Sequence, residues 1–249
     1  MIKFFRKIRQ QMIKENKVSK YVLYAIGEIV LVVIGILIAL SINNWNSNRI
    51  EEVKENYVLK QLLTEFKTDS TKLNNLIAIT SNKIAGIKRL KLDKKAKEQI
   101  PLPFIFFLGK AVPFYDYSPT YNELISSGTL GIIKNDSIKY AINDFINHNA
   151  MMENGLYDNL HNVKSNYMAH VYKFFDGEIN GLIWDKENFL DDIKNLNKDL
   201  KGFFNDSETD YLLNAILAAD SEINHIYKKN VKTKLSNVLR LIQNELKKQ

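Results

Sequence analysis

Residues 21–42 read YVLYAIGEIVLVVIGILIALSI, and NNWN follows at once. At about 1.5 Å rise per residue this run spans roughly 33 Å, close to one bilayer hydrocarbon core. Its only residue charged at neutral pH is Glu28. The stretch therefore predicts a transmembrane helix, and the other segments are defined by it: a basic cytoplasmic segment at 1–20, the span at 21–42, and an exported domain at 43–249.

The net charge of +7 is explained by the same division. Lys3, Arg6, Lys7, Arg9, Lys14, Lys17 and Lys20 stand against Glu15 alone before the span. The remainder is nearly balanced, so nucleic acid is not an expected partner. Basic residues beside a membrane helix mark its cytoplasmic side. After the span, Arg49, Lys54 and Lys60 are offset by Glu51, Glu52 and Glu55. The expectation is an N-terminus inside and a C-terminal domain exported. A cleaved signal peptide has similar flanks, but the apolar run is too long for one and SINNWN offers no small-x-small cleavage site. A retained signal anchor is the preferred reading.

Within residues 1–20, Ile2, Phe5, Ile8 and Met12 recur at spacings of three and four, with basic residues on much of the other face. This pattern suits a short helix lying on anionic headgroups, with Lys3, Arg6, Lys7 and Arg9 as the contacts. Tyr21, Tyr24 and Trp45 fall where interfacial aromatic residues sit. Gly35 and Ala39 lie within about 20° of Glu28 at 100° per residue. This small-xxx-small pair permits close helix approach, which makes Glu28, Gly35 and Ala39 candidates for an association face. The alternative is a Glu28 that reaches toward the headgroups.

The block FFRKIRQQMIKENKVSKYVLYAIGEIVLVVIGILIALSINNWN, residues 4–46, resembles the N-terminus of a family of uncharacterised single-pass bacterial membrane proteins. SPTYNELISSGTLGII (118–133) resembles a second recurrent segment of that family. The resemblance implies an anchored protein with an exported helical domain of unknown function; together with the charge asymmetry, the expectation is an inner-membrane anchor and a periplasmic domain. It supplies no catalytic residues.

Beyond the span, Leu59, Leu62, Phe66, Leu73, Leu76, Thr80, Ile84 and Ile87 recur every three or four residues with few gaps. They predict an amphipathic helix to about Leu92. Asp69 and Lys83 fall on its apolar seam, which argues for bundle packing over a coiled coil. No Pro or Gly separates this helix from the span, although Asn43, Asn44 and Asn46 are candidates for a kink. IPLPFIFFLGKAVPFYDY (100–117) holds three of the four prolines and cannot cross a membrane. It reads as a loop folded over the bundle, or else as an exposed hydrophobic lip. Ser118-Pro119-Thr120 with Glu123 reads as a capped helix start that ends at Gly128. A helix follows from Asn135-Asp136-Ser137 to about Phe175, with Gly155 as a candidate bend. A short helix from Asp185 to about Leu200 and a long one from Asp206 complete the chain. The predicted fold is mainly α: one transmembrane helix, then an elongated antiparallel bundle of about three long and two short helices.

Chemistry is sparse. The absence of cysteine excludes disulfides and thiol nucleophiles. His148, His161, His170 and His225 form no known ligand spacing, and His161 and His170 are too far apart along one helix to share an ion. No metal, cofactor or catalytic residue is expected. The leading reading is a non-enzymatic, membrane-anchored interaction or scaffold protein that binds an envelope partner or a second copy of itself. The alternative is a ligand-sensing bundle, with Tyr115, Tyr117, Tyr121 and Trp184 as pocket candidates, that signals through a partner protein.

Overall fold

In the computed structural model, residues 18–153, 155–176 and 197–248 are described. The chain divides into two compact units, Met1–Tyr57 and Val58–Gln249. The first helix, α1 (Val18–Leu92), has residues in both. The helix continues unbroken through Asn43, Asn44 and Asn46. Packing thus places the boundary at Tyr57/Val58, fifteen residues beyond the hydropathy boundary at 42/43. Residues such as Trp45, Ile50 and Val53, although helical, remain exposed.

In the first unit the apolar side chains of Val22 to Ile42 are exposed almost without exception. One helix near the N-terminus is long and apolar enough to cross a membrane, with a mean hydropathy of 2.8 over a window of which 0% is buried.

The second unit is a mainly α bundle. After α1 come α2 (Lys94–Glu98), α3 (Leu102–Leu108) and α4 (Pro119–Ser126). A 3-10 turn (Leu130–Ile132) leads to α5 (Asp136–Glu153) and α6 (Leu156–Val171). A two-residue antiparallel bridge pairs β1 (Phe175–Asp176) with β2 (Asn197–Lys198). Then come α7 (Leu200–Asn205), α8 (Ser207–Ile226), a π-helical turn (Tyr227–Val231) and α9 (Lys232–Lys248).

Three long helical runs therefore carry the bundle: α1, α5–α6, and α8–α9. α5 ends at Glu153, and Gly155 is the N-cap of α6, with φ −162°. Asp206 caps α8 by accepting from the amides of Glu208 and Thr209, and Gly128 takes the left-handed φ of 69° after α4.

Three expectations need correction. Residues 100–117 are not a plain loop, because Leu102–Leu108 is a helix that Pro101 starts from the N-cap position, where its missing N–H costs nothing. Ser118 does not cap α4 through its side chain; the carboxylate of Glu65 on α1 takes both the amide and the hydroxyl of Thr120 instead. A helix running to Leu200 is also wrong at its end. Asn197–Lys198 is extended, and Asp199 starts a new helix by accepting from the Gly202 amide at 2.7 Å. Asp185 itself lies outside the described residues.

Two apolar clusters form the core. One gathers Leu59, Leu62, Phe66, Phe145, Ile223, Tyr227, Leu235 and Ile242 with their neighbours. The other gathers Ile87, Leu90, Ile105, Phe106, Tyr167, Phe203 and Ile216. Three charged residues fall between members of the two clusters along their own helices: Lys83 on α1, Lys164 on α6 and Asp220 on α8. All three are buried.

Candidate functional site

Those charged residues belong to a seam around residues 100–117, a strap whose side chains Leu102, Ile105, Phe106, Leu108 and Phe114 are buried. A strap that leaves helical geometry inside a protein exposes backbone groups that no helix ladder satisfies, and each must find another partner. Side chains supply the partners. Tyr167 donates to the Ile105 carbonyl at 3.1 Å. Lys164 donates to Leu108 at 2.9 Å, and Lys83 to Lys110 at 2.5 Å. Tyr227 donates to Val112 at 3.2 Å, and Tyr157 to Phe114 at 2.7 Å.

From Leu108 to Phe114, every second carbonyl is taken. Each tyrosine hydroxyl has one proton to give and can also accept. Tyr227 and Tyr157 both use this, accepting from the Phe114 amide at 2.8 and 3.1 Å. Asp69 accepts from the Tyr117 amide at 2.9 Å, which completes the seam on α1.

Burial governs the electrostatics. Desolvation pulls the Lys83 ammonium from its ordinary 10.5 down to about 7, with the nearby Lys164 charge adding to it. Lys164 is lowered by burial too, and Asp220, at 2.8 Å, opposes that shift. Burial raises the Asp69 carboxyl and the Tyr167 and Tyr227 phenols. A buried amine with a depressed pKa is the form lysine takes in Schiff-base enzymes. Among the described residues, Lys83 does not line the grooves at Gly86–Phe104, Lys97–Asn205 or Ala111–His161, and its Nζ donates to the Lys110 carbonyl.

The opposite side of the strap does meet solvent. Ala111, Pro113 and Tyr115 line a groove of about 250 Å³ with Tyr157, Asp158, Leu160 and His161. That is below the range of roughly 300–1,000 Å³ typical of small-molecule sites. Of the expected pocket residues only Tyr115 is in it; Tyr121 is buried, Tyr117 is exposed, and Trp184 lies outside the described residues.

A second polar constellation lies where α6 ends and α8 begins. His170, Asp206 and Glu208 bring one potential ligand atom each within 4.8 Å of one another. Asp206 and Glu208 are 36 and 38 positions from His170, far outside short ligand spacings, and the packing of α6 on α8 brings them together. The other histidines stay apart from this group. His161 and His225 are exposed, and His148 is half-buried with its pKa lowered by desolvation.

Glu28, Gly35 and Ala39 share a helix, and a side chain added at Gly35 would meet nothing within 4 Å. Lys3, Arg6, Lys7 and Arg9 lie outside the described residues.

The class defined by these features is a helical bundle with a strap stitched into it by buried side chains, preceded by one membrane-length apolar helix. The chain belongs to a family of unknown function, DUF6090, whose model matches residues 28–183. That range includes most of the apolar run, the strap and the 118–133 segment, whereas residues 4–27 of the N-terminal block lie outside it. No curated protein and no solved structure matches the chain.

Proposed function

We propose that this is a membrane-anchored, non-enzymatic interaction or scaffold protein of the bacterial cell envelope. Its N-terminus is cytoplasmic, its single span lies in the inner membrane, and its bundle is periplasmic. The observation that carries the anchor is the helix whose apolar window is 0% buried. At about 25 cal/mol per Å² of apolar surface, leaving that window in water would cost far more than a folded protein's net stability. The charge asymmetry around the span supports the orientation. Against catalysis stands the use of Lys83, Lys164, Tyr157, Tyr167 and Tyr227 as partners of the strap backbone. The ligand-sensing alternative has the Tyr115–His161 groove in its favour, and the small volume of that groove against it.

The absence of cysteine allows a clean test, since an introduced thiol is unique. Tyr211 is exposed on α8. In intact cells with a permeabilised outer membrane, Tyr211→Cys should react with a membrane-impermeant maleimide without lysis. Labelling only after lysis would reverse the topology. A mild-detergent pull-down then tests the interaction reading, which predicts a stoichiometric envelope protein or a self-assembled oligomer. Recovery of monomer alone would remove it.

A further inference from the structure

We propose that His170, Asp206 and Glu208 form a binding site for a divalent metal ion of the Zn²⁺ class. His170 sits in the last turn of α6 with its ring buried, packed 5.1 Å from the Phe174 ring and 6.0 Å from that of Phe203. Its Nε2 is 2.7 Å from the Thr209 hydroxyl. In the metal-binding tautomer Nε2 carries the proton and donates it to the Thr209 hydroxyl, which leaves a lone pair on Nδ1. Metal-ligating histidines are commonly oriented by an outer hydrogen bond of this kind.

The Nδ1 atom is buried and makes no hydrogen bond. Glu208 Oε2 lies 3.0 Å away. Two lone pairs that close repel each other unless a cation sits between them. Zinc bonds of about 2.0–2.2 Å in tetrahedral geometry put neighbouring ligand atoms roughly 3.3 Å apart, so the observed separation needs little adjustment. Asp206 adds a second carboxylate; its Oδ1 is 3.6 Å from Nε2, on the Thr209 side of the ring, and the three residues each bring one ligand atom within 4.8 Å of the others. Its capping bonds to the Glu208 and Thr209 amides hold it in place.

Two features bear on the sign of the charge. The α8 N-terminus carries about half a positive charge, which disfavours a cation, but two carboxylates outweigh it. The Lys173 ammonium already rests 3.0 Å from Glu208 Oε2, and its hydrogen bond is the main reason that carboxyl lies below its ordinary range. Lys173 is exposed, so its ammonium can swing aside when an ion enters. Asp206 and Glu208 are solvent-accessible as well, which leaves an entry path and room for water in the remaining coordination position. One imidazole with two carboxylates is a borderline nitrogen–oxygen set that suits Zn²⁺ better than Mg²⁺.

The test is calorimetric titration of ZnCl₂, and separately of MgCl₂, into the full chain. The protein is purified in detergent without a histidine tag and stripped with chelator. One Zn²⁺ per chain should bind, with no comparable Mg²⁺ signal. Asp206→Asn keeps a good helix cap and Glu208→Gln is a surface change, so both variants should stay folded by circular dichroism. Each should weaken Zn²⁺ at least tenfold, while Lys173→Ala, by removing the competing ammonium, should tighten it severalfold. No Zn²⁺ uptake overturns the proposal. So does uptake that Asp206→Asn and Glu208→Gln leave unchanged, since the ion then sits elsewhere.

Discussion

The Phe114 amide, held by two tyrosine hydroxyls, gives the account its sharpest energetic consequence. Tyr227→Phe removes an acceptor at 2.8 Å and the donor to Val112 at 3.2 Å. Tyr157→Phe removes an acceptor at 3.1 Å and the donor to the Phe114 carbonyl at 2.7 Å. Neither change opens a cavity. In each single variant the other tyrosine still accepts from the Phe114 amide, so the loss is one net hydrogen bond and a carbonyl without its donor, about 1–2 kcal/mol. In the double variant that buried amide has no acceptor at all, which adds about 1–3 kcal/mol. The double loss should therefore exceed the sum of the singles. Urea unfolding of the full chain in detergent, followed by far-UV circular dichroism, measures all four corners of the cycle. Additivity within about 0.5 kcal/mol is the behaviour of independent sites, and finding it would refute the shared-acceptor geometry.

Other consequences are simpler. Lys83 drops from 10.5 to about 7 on folding, so between those pH values the unfolded chain holds a proton that the folded chain has released. Stability should rise with pH across that window, by roughly 1.4 kcal/mol per pH unit for this one group, and Lys164 acts in the same direction. Above about pH 10 the buried phenols of Tyr167 and Tyr227 reverse the trend, since the unfolded chain ionises first. Lys83→Met should flatten the rise between pH 7 and 10, and equal slopes in both proteins would show that Lys83 stays charged when folded. Lys164→Met strands Asp220 and the Leu108 carbonyl and should cost about 3–5 kcal/mol, while Lys164→Met with Asp220→Leu should recover much of it; a double variant as unstable as the single would argue against the ion pair. Glu65→Ala removes the partner of the Thr120 amide and should cost about 0.5–2 kcal/mol in the same urea assay, the usual worth of a helix cap.

Periodicity carried the long helices well. The apolar stripe of α1 is buried as its spacing requires, and the polar Asp69 and Lys83 on that stripe correctly argued against a coiled coil. The caps at Asp206 and Gly128 were legible because their chemistry is local. What could not be read were the partners. Lys83 reaches a carbonyl 27 residues away, Tyr227 one 115 residues away, and Glu65 replaces the local cap expected of Ser118. These pairings depend on how the three long runs and the strap pack, and no spacing rule encodes that. One signal was available: buried-stripe lysines and tyrosines, together with a proline-rich apolar segment, imply irregular backbone that needs donors. The closeness of His170, Asp206 and Glu208 was illegible for a related reason, because they come from the ends of two different helices.

The most direct test of the central claim, that residues 100–117 are built into the bundle as a strap, is amide hydrogen exchange on the full chain in detergent. The account predicts that the Phe114 and Tyr117 amides, held by Tyr227, Tyr157 and Asp69, exchange as slowly as those of the core helices, through global opening alone. Phe114 should lose that protection first in the Tyr157→Phe, Tyr227→Phe double variant. Rapid exchange at both amides in the unaltered protein, at the rate of exposed loops, would mean that the segment is an open lip, and the strap would be contradicted.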